Sequence, residues 1–279
     1  MTNILPVCFH IKINFYRRYK KIVLLKIGDF IATLPSSVIS GDDVVLPDNF
    51  FRKMFSFCEL NQNDVFYHLG VGKNFSSLLI ASREYGVRKS VGIEIDPNTI
   101  SHIKSKINPS VDKIDIINED VVKSSLSEAT VIFSWFTDEK INERLLDKFK
   151  YDVGDGTKII SIWSPPDLFI PDKVDFPLIL CKKPFTFGVD IRDQLKKLYS
   201  TNCIDFTASW LLSEKYIQSF GIVESQYVRF LNILQSVMIW FNARDLDLVC
   251  EDEIPPPIKS YVGILKYFFN IDLSDFLVK

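Results

Sequence analysis

The chain has 279 residues, of which 47% are apolar, and its 33 basic and 35 acidic side chains give a formal net charge of −2. This balance excludes a protein that binds nucleic acid through its overall charge, and the apolar share is ample for a buried core. Five cysteines without a CxxC pair and three dispersed histidines indicate neither a metal site nor a disulfide framework, which is typical of the reducing cytosol. No apolar run reaches the ~18 residues of a membrane span, so we expect a cytoplasmic protein with no membrane anchor.

The first 47 residues read as an N-terminal extension with short strands. Residues 1–30 hold six Lys/Arg and a single acid, Asp29. Such a run is either a solvated face or a surface for an acidic partner such as nucleic acid, and both interpretations stay open. A helix follows at residues 48–60, with Phe51, Met54 and Phe55 on one face and Asp48 as its N-cap.

From residue 64 onward, strands and helices alternate along the chain. Near-continuous apolar runs that alternate with amphipathic segments are typical of an α/β fold, with a mostly parallel sheet and helices on both faces. Strands are predicted at residues 64–69, 89–95, 112–118, 129–136 and 157–163, and helices at 74–86, 97–107 and 138–150.

The pattern changes after Trp163. A proline-punctuated loop is predicted at residues 164–177, then a strand at 178–183, and an all-α region to the end of the chain. The segment 223–246 is apolar around most of its circumference, which predicts a helix buried on two sides and makes a homodimer through the C-terminal helices possible. The predicted domains are an extension (1–47), an α/β domain (48–185) and an α-helical C-terminal domain (186–279).

Three polar features follow the predicted parallel strands. Gly70 and Gly72 form a G-x-G turn after the first strand, where a ligand can approach the backbone N–H groups of the next helix. Glu94 ends the second strand, where its carboxylate can accept from both hydroxyls of a ribose; its removal is expected to weaken ligand binding with little effect on stability. Asp120 follows the third strand, where it can accept from an adenine amino group.

The order of these motifs resembles that of the class I, Rossmann-like S-adenosylmethionine-dependent methyltransferases. The segments DVFYHLGVGKNF, VGIEIDPNTI, IINEDV, ATVIFSWF and GTKIISIW look most like the small archaeal protein-lysine methyltransferases, over residues 46–165. The resemblance implies S-adenosylmethionine as cofactor and a protein lysine as acceptor. It implies a cofactor site made of His68, Gly70, Gly72, Asn74, Glu94, Ile95, Asp96, Glu119, Asp120 and Trp135, and catalytic roles for Thr137 and Asp138.

The first loop departs from the family pattern. His68 stands where the family has an acid, and Lys73-Asn74 stand where it has Asp-Gly. Cationic character beside a sulfonium is unfavourable, so we expect the cationic cofactor to bind more weakly than its neutral-sulfur product, with the difference growing as His68 gains a proton. Structural interpretations stay open beside the functional roles, because Asp120 and Asp138 can each serve as a helix N-cap.

Two other functions remain open. One is a relative that has lost the cofactor and uses its helical domain as an interaction module. The other is a nucleic-acid methyltransferase that uses the basic N-terminal segment. The N-P-P-[YF] signature of enzymes that methylate exocyclic amines is absent after ATVIFSWF, which counts against the second alternative.

Overall fold

The computed structural model describes residues 45–136, 138–219, 223 and 225–278. The strands predicted before residue 45, the basic run and Thr137 lie outside these residues. The described chain forms two compact units, one of residues 45–198 and one that begins at Tyr199.

The first unit contains the alternating elements that the sequence predicts. Numbered from residue 45, they are α1 (Asp48–Cys58), β1 (Val65–Leu69), α2 (Ser76–Arg83), β2 (Lys89–Glu94), α3 (Pro97–Lys104), β3 (Ile114–Asn118), β4 (Val131–Ser134), α4 (Glu139–Tyr151), β5 (Lys158–Ile162), β6 (Phe169–Ile170), β7 (Lys173–Asp175), β8 (Leu178–Lys182), β9 (Thr186–Phe187) and α5 (Ile191–Tyr199).

A seven-stranded sheet of order β3-β2-β1-β4-β5-β8-β7 organises this unit. Strands β1 to β5 pair in parallel, whereas β8 is antiparallel to both β5 and β7. The central strands β1 and β4 are buried along their whole length, and β3, at the edge, is half-buried or exposed. The predicted mostly parallel sheet is therefore confirmed. Its central strands read as unbroken apolar runs because they are buried on both faces.

The prediction of a loop at residues 164–177 is wrong in part. It contains β6 and β7, and β6 pairs with β9 in a separate two-stranded sheet. These strands have two or three residues each, too few for a recognisable alternation of polar and apolar side chains.

Helix α1 buries the predicted face, including Phe51, Met54 and Phe55. The prediction of an Asp48 N-cap is wrong: Pro47 occupies the N-cap position without a side-chain cap, and Asp48 lies inside the first turn. Two lysine ammonium groups reach the carbonyl end of this helix. Lys158 Nζ donates to the carbonyl oxygen of Cys58 (2.6 Å) and Lys173 Nζ to that of Phe57 (2.8 Å), positions where a cation is favourable to the helix dipole.

The second unit is helical, as predicted. It contains α6 (Phe206–Gln218), α7 (Ser225–Asp245), α8 (Pro256–Phe269) and a short 3-10 helix (Ser274–Leu277). The middle of α7 is buried at consecutive positions from Leu231 to Val237, which confirms that this helix is enclosed on more than one side. Helix α8 leaves Tyr267 and Phe268 exposed; a dimer through these helices stays a prediction.

The prediction that the cysteines form no disulfide framework is wrong for this unit. Cys203 and Cys250 are disulfide-bonded across a separation of 47 residues, beside an isolated bridge between Ile204 and Val249. The sequence around these two cysteines contains no recognisable motif for the pairing, because tertiary packing brings them together and local spacing does not.

No described helix is long and apolar enough to cross a membrane. Within the same residues, no cluster of His, Cys, Asp or Glu side chains could hold a metal ion. The cytoplasmic location stays a prediction.

Candidate functional site

The parallel register places the predicted site residues at one edge of the sheet. Leu69, the last residue of β1, pairs with Ile93 of β2 on one side and with Ser134 of β4 on the other, and Glu94 pairs with Asn118 of β3. The loops that follow β1, β2, β3 and β4 therefore leave the sheet at adjacent points. This carboxyl edge is where open α/β sheets bind ligands.

The glycine loop uses each glycine differently. Gly70 and Gly72 both have left-handed backbones, with φ of +65° and +50°, which glycine adopts without strain. A side-chain carbon at Gly70 would lie 2.7 Å from two ring carbons of Phe136, so this glycine is required by packing. At Gly72 the nearest atom would be the Gly70 carbonyl oxygen at 3.9 Å. Open space for a ligand therefore lies over Gly72, and an aromatic ring covers Gly70.

The Glu94 carboxylate ties the glycine loop to the end of β2. Its Oε2 accepts from the Gly72 amide (2.9 Å), and its Oε1 accepts from the amides of Ile95 (2.8 Å) and Asp96 (2.9 Å). The residue is 8% exposed. A carboxylate has about four lone-pair sites, so three are used within the protein and capacity remains for one further donor. The sequence alone predicts the ligand role but not this bracing of the loop.

The loop after β2 presents an apolar side chain beside the acid. Ile95, which follows the buried strand β2, is 67% exposed. Asp96 caps α3: it accepts from the Asn98 and Thr99 amides and from the Thr99 hydroxyl, and these Thr99 bonds hold the pKa of Asp96 below its usual range. Ile95 is therefore available to a flat ring, whereas the Asp96 side chain is committed to the helix.

The end of β3 carries a residue that the sequence analysis does not select. Asn118 donates from its side-chain amide to the carbonyl oxygens of Glu94 (3.2 Å) and Ile95 (3.0 Å), and so fixes the strand end that carries both. Glu119 is exposed. Asp120 accepts from the Val122 amide (2.9 Å), but residues 121–123 form a turn and not a helix, so the interpretation of Asp120 as a helix N-cap is wrong.

The expectation that His68 places titratable charge in the loop is wrong. The ring is 3% exposed, lies against the rings of Phe51 and Phe133, and shares a hydrogen bond with the Ser77 hydroxyl (Nδ1···Oγ 2.7 Å). Burial lowers the pKa of His68 to about 3. A neutral imidazole is therefore expected at every physiological pH, and its contact with α2 is structural.

Asn74 connects the glycine loop to the segment before α1. Its side-chain oxygen accepts from the amide of Leu46 (2.7 Å), and Leu46 itself is buried. The Asn74 carbonyl oxygen accepts from the Ser77 amide in the first turn of α2 (3.2 Å). This residue therefore holds two segments together beside the open space over Gly72.

The end of β4 carries aromatic side chains and a helix cap. Trp135 is half-buried, with its ring perpendicular to that of Trp163 at a centroid separation of 5.5 Å. Asp138 is exposed, and its Oδ1 accepts from the amides of Lys140 (2.8 Å) and Ile141 (3.3 Å), which makes it the N-cap of α4. Thr137, named with Asp138 for catalysis, lies outside the described residues.

A third glycine belongs to the site although the sequence reading did not select it. A side-chain carbon at Gly92 would lie 2.7 Å from both Leu78 and Val71 and 3.0 Å from Ile116. Gly92 pairs with His68 in the sheet, so it lets α2 and the glycine loop pack closely on β2. The sequence signal that could have identified Gly92 is its position inside a buried strand, because glycine there often marks a close approach of a neighbouring segment.

Comparison with known proteins gives a relative of known activity. No protein-family model matches the chain. Over 133 residues, 45% of this chain and 81% of the relative, it is 27% identical to a protein-lysine N-methyltransferase of Saccharolobus islandicus (strain REY15A).

Solved structures of methyltransferases are similar at a lower level. An RNA methyltransferase from Salinibacter ruber in complex with S-adenosyl-L-homocysteine is 24% identical with a TM-score of 0.47, over 53% of this chain and 98% of that one. A dimethyladenosine transferase from Plasmodium falciparum is 16% identical with a TM-score of 0.36, over 42% of each chain. Neither likeness, with its TM-score below 0.5, bears on what this chain modifies. Residues 45–198 therefore have a Rossmann-like fold, with a mostly parallel sheet that carries a glycine loop and an acidic strand end at its carboxyl edge, and the chain is similar in sequence to an archaeal protein-lysine N-methyltransferase.

Proposed function

We propose that this protein is an S-adenosylmethionine-dependent N-methyltransferase whose acceptor is a lysine side chain of another protein. The observation that carries the proposal is the convergence of Gly72, Glu94 and Trp135 on neighbouring strand ends. The archaeal relative supports the choice of lysine as acceptor.

The residues at the carboxyl edge fit the cofactor that this fold uses. The space over Gly72 admits a ligand to the backbone, and Glu94 keeps capacity to accept from a ribose hydroxyl. The exposed Ile95 can cover one face of an adenine, with Glu119 and Asp120 beside its edge. The bound cofactor supplies an electrophilic methyl group on a cationic sulfur.

The protein's own contribution is alignment and exclusion of water. Glu94 and Asn118 fix the loops after β1 and β2, and Asn74 holds the segment at Leu46 against the glycine loop. Holding two reactants in a near-attack geometry removes much of the entropic barrier. An amine acceptor must first lose a proton, and the exposed Asp138 carboxylate can receive it even though its Oδ1 also caps α4.

Two observations favour the alternative of a protein that no longer binds the cofactor. The Phe136 ring fills the space over Gly70, a residue of the predicted cofactor site, and three backbone amides already use the Glu94 carboxylate. In that case the helical second unit would act as an interaction module.

Transfer of a radiolabelled methyl group tests the proposal against both alternatives. The full chain is incubated with methyl-tritiated S-adenosylmethionine and, in parallel, with poly-L-lysine, poly-L-arginine or a single-stranded RNA. Labelling of poly-L-lysine, inhibited by S-adenosylhomocysteine, is the expected result. Labelling of the RNA alone would establish a nucleic-acid methyltransferase, and no labelling together with no cofactor binding would establish the interaction module.

A further inference from the structure

We propose that Trp163 is a positioning residue that holds Trp135 as an aromatic wall for the alkylammonium group of the methyl acceptor. The inference rests on the proposed function, because it assigns the acceptor side of the same site. Trp135 follows β4 and Trp163 follows β5, so neither tryptophan belongs to the G-x-G loop or to the acidic end of β2.

The first observation is the backbone of Trp163. This residue directly follows β5 and has a φ of +70°. A left-handed backbone is a genuine outlier for a bulky side chain, because its Cβ crowds the following carbonyl group. Glu59 and Asn270 also have positive φ, but each ends a helix, where that conformation is common. Leu168 shares the outlier conformation, with φ of +59°, in the loop before β6.

The surroundings of Trp163 hold this conformation in place. Its amide donates to the carbonyl oxygen of Pro177 (2.8 Å), the residue just before β8, and its ring is 1% exposed. The Ser161 hydroxyl donates to the carbonyl oxygen of Ser164 (2.6 Å) and closes the turn around the tryptophan. An unfavourable backbone that is fixed on several sides at the edge of a candidate site indicates a functional constraint.

The second observation is where the ring lies. It packs edge-to-face with Trp135, at an interplanar angle of 84°, a favourable arrangement for two aromatic rings. Trp135 follows β4 and is half-buried, so one part of its surface rests on Trp163 and another part stays accessible. Because Trp135 has a rigid neighbour at its side, its ring has few alternative orientations.

The third observation is the position of Trp135 relative to the glycine loop. Ser134 pairs with Leu69, so Trp135 and Gly70 leave adjacent strands at the same level. Phe136 covers Gly70 from the next position along the chain. Among aromatic side chains, the face of tryptophan attracts ammonium groups most strongly. This combination selects an aliphatic amine over a neutral alkyl group of the same size.

The tryptophan indole N–H signals in a nitrogen-15 NMR spectrum test this inference without knowledge of the protein substrate. The chain has four tryptophans, and single Trp→Phe variants assign their signals. The protein, with saturating S-adenosylhomocysteine, is titrated with n-butylammonium as a mimic of the lysine side chain and with n-butanol as its neutral counterpart. We expect the Trp135 signal to shift with butylammonium and not with butanol, while those of Trp210 and Trp240 stay in place.

Variants then separate positioning from folding. Trp163→Leu should weaken butylammonium binding by about fivefold, a typical loss for a cation–π contact, and Trp163→Phe should recover part of it. Both should bind S-adenosylhomocysteine within about twofold of the wild type. Trp240→Phe is the matched control, because Trp240 is also fully buried but belongs to the second unit.

The wild-type titration alone can overturn the inference, even where a Trp163 variant does not fold. Equal shifts of Trp135 with butylammonium and butanol, or no shift with either, would remove the acceptor wall while leaving cofactor binding intact. Absence of S-adenosylhomocysteine binding would instead remove the proposed function, and this inference with it.

Discussion

Replacing Glu94 by glutamine tests whether one carboxylate both braces the glycine loop and holds the ligand. Glutamine keeps one oxygen, which can still accept from the amides of Ile95 and Asp96, but it points an NH2 group at the Gly72 amide. One charge-assisted hydrogen bond is lost and a backbone donor is left unpaired. Hydrogen bonds to charged groups contribute about 1.5–3 kcal/mol each. The free energy of unfolding without ligand should therefore fall by about 1.5–3 kcal/mol.

The same substitution should weaken binding of S-adenosylhomocysteine by about tenfold, because the remaining acceptor for a ribose hydroxyl loses its charge. Urea unfolding measures the first effect and calorimetry the second. Glu128→Gln is the matched control: Glu128 is exposed, precedes β4 at the opposite edge of the sheet, and its carboxylate lies 3.8 Å from the Lys89 ammonium group. Such exposed pairs contribute little. If Glu94→Gln is as stable as Glu128→Gln, the bracing role is wrong.

Three further predictions concern other parts of the molecule. The pKa of His68 is lower in the folded state (about 3) than in the unfolded state (6.5), so the unfolded state binds more protons between these values and the free energy of unfolding should rise with pH there by about 1.4 kcal/mol per pH unit. Urea unfolding of His68→Phe at several pH values should show a shallower dependence of that free energy on pH, and an unchanged dependence would contradict this prediction. Gly70→Ala should cost about 1–3 kcal/mol of unfolding free energy through its clash and positive φ, whereas Gly154→Ala, with open space at that position, should change it by less than about 0.5 kcal/mol; similar losses in both would refute this. Removing the Cys203–Cys250 disulfide with alanines should destabilise the second unit by about 4 kcal/mol for a 47-residue separation, measured by urea unfolding with and without reductant; an effect of reductant that persists in the double variant would count against it.

The sheet and the gathering of the site residues could be predicted because they depend on local patterns. Buried runs such as Val65–Leu69 and Val131–Ser134 are typical of parallel strands. Once the strands are parallel, Gly70 and Glu94 must leave the sheet at one edge, whatever the loops do. The short strands β6 and β9 escaped prediction because two residues carry no periodicity.

The contacts inside the site could not be predicted, since they join segments that are distant in sequence. The hydrogen bond from Leu46 to Asn74 spans 28 residues, and the one from Asn118 to the Glu94 carbonyl spans 24. The charge of His68 could not be predicted for the same reason: its position at the end of a predicted strand, next to the glycine loop, suggests access to a ligand, whereas the folded chain encloses its ring between Phe51 and Phe133. Burial, which sets that pKa, is a property of tertiary packing.

Calorimetric titration of the full chain with S-adenosylmethionine and S-adenosylhomocysteine measures whether this protein binds the proposed cofactor. We expect one molecule of either ligand to bind per chain, Glu94→Gln to weaken binding of both by about tenfold, and Glu128→Gln to weaken binding of neither. Because His68 stays neutral, the ratio of the two affinities should not change between pH 5 and pH 8. A folded wild-type protein that binds neither ligand anywhere in this range would contradict the account.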